Sequence, residues 1–178
     1  MTVKLYPIVN PNQDFAALEN NVLKSWEENN SFQKSISNRD GADNFVFYDG
    51  PPFATGLPHY GHLLTGYVKD AIARYHTMRG SRVERRFGWD CHGLPIELNI
   101  EKKYSKDLSG DEIRNKCREY ANSQIESQKQ DFKTLLIIAN WENPYTTMNF
   151  KTEANIISAL KEIYLKGLIK KGEKPVFW

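Results

Sequence analysis

Phe47-Tyr48-Asp49-Gly50-Pro51-Pro52-Phe53-Ala54-Thr55-Gly56-Leu57-Pro58-His59-Tyr60-Gly61-His62 is the stretch on which the fold turns. The run that enters it, Phe45-Val46-Phe47-Tyr48, is aromatic and β-branched and stops at Asp49-Gly50-Pro51-Pro52, which predicts a buried strand. Pro51 to Gly61 holds three prolines and two glycines and cannot continue as regular structure. From Gly61 to Arg79 the spacing becomes helical, with Leu64, Val68, Ala71, Ile72 and Tyr75 on one face. Gly80 suits the position after a helix end. Ser81 to Phe87 alternates, Val83, Arg85 and Phe87 against Arg82, Glu84 and Arg86, and predicts a second strand. Strand, loop, helix, strand is a βαβ unit, hence a parallel pair with a right-handed crossover.

The reading extends in both directions. Asp14 to Asn30 has Phe15, Leu18, Val22 and Trp26 at helical spacing behind a candidate N-cap, Asp14. Ser35 to Asn44 is polar and rich in turn formers. Beyond the second strand comes a loop, Gly88-Trp89-Asp90-Cys91-His92-Gly93-Leu94, and a helix that resumes at Pro95. Ser109-Gly110-Asp111-Glu112 has capping-box spacing ahead of a long polar helix, Asp111 to Ile138, expected to be largely exposed. Trp141 to Asn149 reads as a loop. Lys151 to Lys166 is amphipathic through Ile156, Ile157, Leu160, Ile163 and Tyr164 and stops at Gly167. Pro175-Val176-Phe177-Trp178 reads as the start of a third strand. The fold class is therefore α/β, built on a parallel sheet.

Composition narrows the function classes. The chain has 178 residues, with 24 Lys and Arg against 22 Asp and Glu and a net charge of +2, which fits neither a polycationic arm nor an acidic tail. Apolar residues at 40% and aromatics at 12% argue against general disorder. No apolar run approaches the roughly 20 residues that span a bilayer, and the N-terminus has no apolar signal region. A soluble, cytoplasmic protein without membrane association is expected. Cys91 and Cys117 are far apart and outside any Cys-x-x-Cys pair, so neither a disulfide scaffold nor a cysteine zinc site is supported.

The two loops follow the ends of the two strands of the βαβ unit, where open α/β sheets bind ligands. His59, His62, Asp90 and His92 converge there. His59 and His62 lie one turn apart at a helix N-terminus, which offers N–H groups and partial positive charge to an anion. Gly61 removes a Cβ, so a flat ring or a phosphate can approach the backbone. An ordinary helix cap fits the same four residues about as well. A zinc site from His59, His62, His92 and Asp90 is a weaker reading. Asp90 suits a substrate ammonium or a turn cap. Pro51 and Pro52 suit a rigid pocket wall. Cys91 has only His92 as a neighbouring base, so a structural role is favoured over a nucleophilic one. Arg79, Arg82, Arg85 and Arg86, and Lys102 to Lys106, read as solvated charge.

The opening stretch resembles the first signature of class I aminoacyl-tRNA synthetases, His-Ile-Gly-His with its upstream strand, with Tyr60 in place of the usual Ile. Arg86-Phe87-Gly88-Trp89-Asp90-Cys91-His92-Gly93-Leu94-Pro95-Ile96-Glu97 resembles the isoleucine-specific branch. So do Met148 to Ile157 and Lys174-Pro175-Val176-Phe177-Trp178. The resemblance implies the first half of a Rossmann-like catalytic domain over 45–178, a helical extension over 1–44, and a long helical insertion. It implies that His59 and His62 stabilise ATP phosphates, that Gly61 packs against adenine, and that Asp90 binds the α-ammonium of L-isoleucine. Gly50 and Pro51 would line the amino-acid pocket, with Phe53 nearby. Mg²⁺ would accompany ATP, and isoleucyl-adenylate would then be transferred to tRNA(Ile).

The family's second signature, Lys-Met-Ser-Lys-Ser, is absent, and Lys103-Tyr104-Ser105-Lys106 comes too early to replace it. The resemblance implies an N-terminal portion that would pass into an editing insertion just after Trp178. Two other readings stay open on the residues alone. One is a small nucleotidyltransferase built on a His-x-Gly-His loop. The other is a non-catalytic module that binds nucleotide, tRNA or a protein.

Overall fold

The computed structural model of the chain describes residues 9–104, 108–175 and 177. Its elements are α1 (Phe15–Glu28), α2 (Ser31–Ser37), α3 (Tyr60–Met78), β1 (Arg86–Trp89), α4 (Leu94–Lys103), α5 (Gly110–Thr134), β2 (Asn140–Thr146) and α6 (Phe150–Leu165). β1 and β2 form a two-stranded parallel sheet. The architecture is α/β, as expected.

Helix α1 starts where the sequence places it, because the Asp14 carboxylate accepts the Ala17 N–H at 3.0 Å. Side chains tie the N-terminal helices to α3. Arg39 donates from Nε to the Thr77 carbonyl at 2.8 Å, and the Arg74 guanidinium lies 5.1 Å over the Trp26 ring.

The predicted strand Phe45–Tyr48 forms no ladder. It is pinned near both ends. Phe45 N–H donates to the Arg82 carbonyl at 3.0 Å, and further on Ala54 N–H donates to the Asp90 carbonyl at 2.7 Å. Both isolated bridges, Asn44 with Arg82 and Phe53 with Asp90, are parallel, as a βαβ unit requires. Between them, Pro51 and Pro52 have no N–H with which to continue the pairing. The expectation of a buried strand is corrected. Phe45 and Phe47 turn inward, while Val46 is 83% and Tyr48 86% exposed.

The second strand lies later than its alternation suggests. Val83 and Arg85 are buried, and Glu84 and Arg86 face out, so the pattern over Ser81–Phe87 holds. The ladder itself occupies Arg86–Trp89, because that is where β2 lies alongside. Arg85 corrects the solvated-charge reading. It is 6% exposed and donates from Nη2 to Thr77 Oγ1 at 2.7 Å.

Strand β2 overturns the loop expected over Trp141–Asn149. Its register jumps from Arg86–Asn140 to Gly88–Tyr145 across a bulge. Pro144 sits inside that bulge, where no ladder N–H is required of it. Arg86 holds the bulge by donating to the carbonyls of Asn143 at 3.0 Å and Pro144 at 3.3 Å. Gly88 is required here, since a Cβ on it would come within 2.3 Å of the Tyr145 ring.

Helices α4 and α5 connect β1 to β2. Helix α5 buries one stripe, Ala121, Ile125, Gln128 and Phe132. It ends at Thr134 rather than Ile138, and Leu136 takes a left-handed φ of 59°. Its start has the predicted capping box. Glu112 Oε2 accepts the Ser109 N–H at 2.8 Å, and Ser109 Oγ accepts the Glu112 N–H at 3.3 Å. Ser109→Ala should cost about 1 kcal/mol of stability, read as a lowered melting temperature, and no loss would show that the cap is not needed.

The core gathers Ala54, Trp89, Cys91, Ile96, Ala121, Ile125 and Met148. Phe87 packs against it, with ring centroids 4.9 Å from Trp89 and 4.7 Å from Trp141. Helix α6 is capped by Asn149, which accepts the Lys151 N–H at 2.9 Å. Its predicted apolar face stays exposed, and none of its residues is buried. Pro175 and Phe177 carry no strand, which corrects the third strand as far as they go. Val176 and Trp178, like Ser105 and Lys106, lie outside the described residues. Among the described residues, no helix is long and apolar enough to cross a membrane.

Candidate active site

The histidine pair forms the first turn of α3. His59 is the N-cap, and its Nδ1 accepts the Gly61 N–H at 3.1 Å. The His59 N–H donates in turn to His62 Nδ1 at 3.1 Å. The two rings lie 4.0 Å apart. A ring nitrogen that accepts a hydrogen bond carries no proton, so each neutral ring holds its proton on Nε2. The backbone thus leaves two Nε2–H donors side by side at a helix N-terminus. Burial, His59 and Lys69 together lower the His62 pKa below the usual histidine value, which favours that neutral form. A Cβ on Gly61 would lie 2.9 Å from His59 Cε1, so the glycine is what lets His59 fold back. Tyr60 is 90% exposed. Its ring therefore has little to pack against, and an aliphatic residue fits the position equally well.

His62 also lines a cavity of about 390 Å³ between α3, β1 and the segment 47–53. Gly50, Pro51, Pro52 and Phe53 line the same cavity, so with His62 it unites five of the sequence-predicted residues. His59, Gly61 and Asp90 lie outside its lining. Lys69, unremarked in the sequence, ties two other residues of the lining together. Its Nζ lies 2.6 Å from Asp49 Oδ1 and donates to the Gly50 carbonyl at 2.6 Å. Tyr145 donates its hydroxyl to the Asp49 carbonyl at 2.6 Å, and burial, Asp49 and Tyr48 push its pKa up to about 12.

Asp90 joins the site through the backbone. Its N–H donates to the Pro52 carbonyl at 2.9 Å and its carbonyl accepts the Ala54 N–H at 2.7 Å. The loop after β1 is thereby stitched to the Gly/Pro loop that leads to His59. The Phe53 ring spans the seam, 3.4 Å from where a Cβ on Gly93 would stand. Thr147 Oγ1 donates to Asp90 Oδ1 at 3.3 Å.

His92 does not join the histidine pair. Its Nε2 lies 3.0 Å from Glu153 Oε1, and Glu153 is gripped by Arg118 Nη2 at 2.7 and 2.8 Å. The Arg118 hydrogen bond is the main reason the Glu153 pKa falls below its usual value. The zinc reading therefore loses His92 to α6. Among the described residues no group of three or more His, Cys, Asp or Glu is placed to hold a metal. Cys91 is buried, and burial raises its thiol pKa, which opposes a nucleophilic role.

Sequence reasoning missed Gln128. It is fully buried, accepts the Trp89 Nε1–H at 3.0 Å, and donates to the carbonyls of Phe53 at 3.0 Å and Gly56 at 2.9 Å. A signal existed, because Gln128 falls on the helical stripe of Ala121, Ile125 and Phe132. No comparable signal marks Thr147.

A family model described as tRNA synthetases class I (I, L, M and V) matches residues 21–178. The chain belongs to this family. It is 46% identical over 186 residues to the isoleucine--tRNA ligase of Rickettsia typhi (strain ATCC VR-144 / Wilmington), covering 98% of this chain and 17% of that one. It is also 46% identical over 190 residues to the isoleucine--tRNA ligase of Rickettsia africae (strain ESF-5), with the same coverage. The synthetase chain thus spans about a sixth of the length of these curated relatives. Among solved structures it resembles the LeuRS of a LeuRS-tRNA-LeuAMS ternary complex from Agrobacterium radiobacter K84. The TM-score is 0.63 at 24% identity, over 84% of this chain and 18% of that one, a likeness of fold.

Proposed function

We propose that these residues form the part of an isoleucine--tRNA ligase that activates L-isoleucine with ATP. The observation that carries this reading is the parallel bridge between Phe53 and Asp90. It brings the loop ending in the histidine pair against the loop bearing a carboxylate, so a triphosphate and an amino acid can meet between them. The names of the 46%-identical relatives supply the substrate.

In this reading Asp90 takes the α-ammonium of isoleucine through a charge-assisted hydrogen bond. Gly50, Pro51 and Phe53 wall the amino-acid side, and Gly61 packs against the adenine. The isoleucine carboxylate attacks the α-phosphorus, a new P–O bond forms, and the bond to pyrophosphate breaks. Charge develops on the phosphate oxygens, where the Nε2–H groups of His59 and His62 donate. Mg²⁺ enters with ATP. No covalent protein intermediate is needed, so positioning and charge stabilisation carry the step. The adenylate then passes to the terminal ribose of tRNA(Ile), in the cytoplasm. Residues 1–44 serve as a helical extension and 45–178 as the first half of the Rossmann-like domain.

Direct product analysis tests this. The full polypeptide carrying these residues, given α-labelled ATP and isoleucine, should form isoleucyl-adenylate. In a parallel reaction supplied with a phosphorylated alcohol, transfer of the label to its phosphate as a phosphoanhydride, with release of pyrophosphate and no isoleucyl-adenylate formed from isoleucine, would move the chain to the nucleotidyltransferase class.

A further inference from the structure

Thr147 has no place in the mechanism above, yet it is the residue most intimately bound to the loop that carries Asp90. It follows β2 directly, and its N–H donates to the Trp89 carbonyl at 3.1 Å, which continues the parallel pairing by one residue. This backbone bond fixes Thr147 beside the end of β1. Its hydroxyl then makes two contacts. Oγ1 accepts the Cys91 N–H at 2.8 Å and donates to Asp90 Oδ1 at 3.3 Å.

The two contacts have different consequences. A threonine hydroxyl has one hydrogen and two lone pairs. With a lone pair engaged by Cys91, the hydrogen remains free to point at the Asp90 carboxylate. The same oxygen, Oδ1, also faces the His92 N–H at a long 3.5 Å. Both local contacts therefore fall on Oδ1, and Oδ2 is left for a ligand. A carboxylate on a loop has two side-chain torsions to settle. A donor held rigidly by the sheet settles them before the ligand arrives, which lowers the cost of binding.

From this geometry we infer that Thr147 is a positioning residue, which orients the Asp90 carboxylate so that Oδ2 receives the substrate ammonium. The inference rests on the reading of Asp90 as the ammonium site. It makes Thr147 a determinant of amino-acid affinity rather than of ATP handling.

The test is steady-state kinetics of pyrophosphate exchange with the full polypeptide. Thr147→Val keeps the shape and removes the hydroxyl, and Thr147→Ser keeps the hydroxyl. Thr147→Val should raise KM for isoleucine about tenfold and leave KM for ATP within about twofold, and Thr147→Ser should restore most of the loss. In an Asp90→Asn background, Thr147→Val should add little, because the two changes act on one contact. If Asp90→Asn raises KM for isoleucine but Thr147→Val does not, the inference is overturned and the Asp90 reading stands. If Thr147→Val weakens both substrates alike and Ser does not rescue, Thr147 is only structural and the inference is likewise overturned. If Asp90→Asn leaves KM for isoleucine unchanged, both fall together.

Discussion

His62→Ala should slow isoleucine-dependent pyrophosphate exchange by about 10²–10³-fold with KM for isoleucine little changed. The reason is geometric. His62 Nδ1 is occupied by the His59 N–H, so Nε2–H is the only donor the neutral ring can present. Phosphate charge grows as the bond to pyrophosphate breaks, and a donor fixed in advance stabilises that charge without reorganising. His62 also accepts the bond that sets the His59 backbone, so its removal loosens the second donor as well. His59→Ala should therefore cost a similar factor, and the double variant should cost less than the product of the two, since the rings act as a unit. A loss of under fivefold in His62→Ala would remove the pair from the chemistry.

The second large effect concerns stability. Gln128→Leu should lower the unfolding free energy by about 1–3 kcal/mol, out of the ~5–15 kcal/mol typical of a domain. Leucine fills the volume but leaves the buried Trp89 Nε1–H without its acceptor, and it takes one donor each from the Gly56 carbonyl and from the Phe53 carbonyl, which keeps the Thr55 N–H at 2.9 Å. Gln128 is also the link from α5 to both loops of the site. It holds Phe53 and Gly56 on one side and Trp89, the neighbour of Asp90, on the other. Gln124 adds a second clamp by accepting the Gly56 N–H at 2.9 Å. Chemical denaturation followed by tryptophan fluorescence reads the change. A loss below about 1 kcal/mol would show that water replaces the amide without penalty.

What could be read from residues alone follows local physical rules. Asp14, Ser109 with Glu112, Gly80 and Gly167 mark helix ends, because capping depends on neighbours within one turn. The juxtaposition of the two loops was also legible, since a βαβ unit brings the ends of its strands together. Strand β2 was not legible. Asn140-Trp141-Glu142-Asn143-Pro144-Tyr145-Thr146 has no alternation, and Glu142-Asn143-Pro144 separates its β-forming residues Trp141, Tyr145 and Thr146, so it becomes a strand because β1 lies alongside and Arg86 secures its bulge. The burial of Phe45–Tyr48 was overestimated for the converse reason, since composition favoured a strand that lacks a continuous ladder. His92 stood beside Asp90 in the sequence, but a carboxylate on α6, 61 residues away, draws it elsewhere. Thr147 was invisible because its role comes from a pairing that no local pattern announces.

The most direct test of the central claim is ATP–pyrophosphate exchange by the full polypeptide, measured with isoleucine, valine, leucine and methionine in parallel. Exchange should require an amino acid, run fastest with isoleucine, and collapse in both His62→Ala and Asp90→Ala. Exchange that proceeds equally with all four amino acids, or that survives both substitutions, would contradict it.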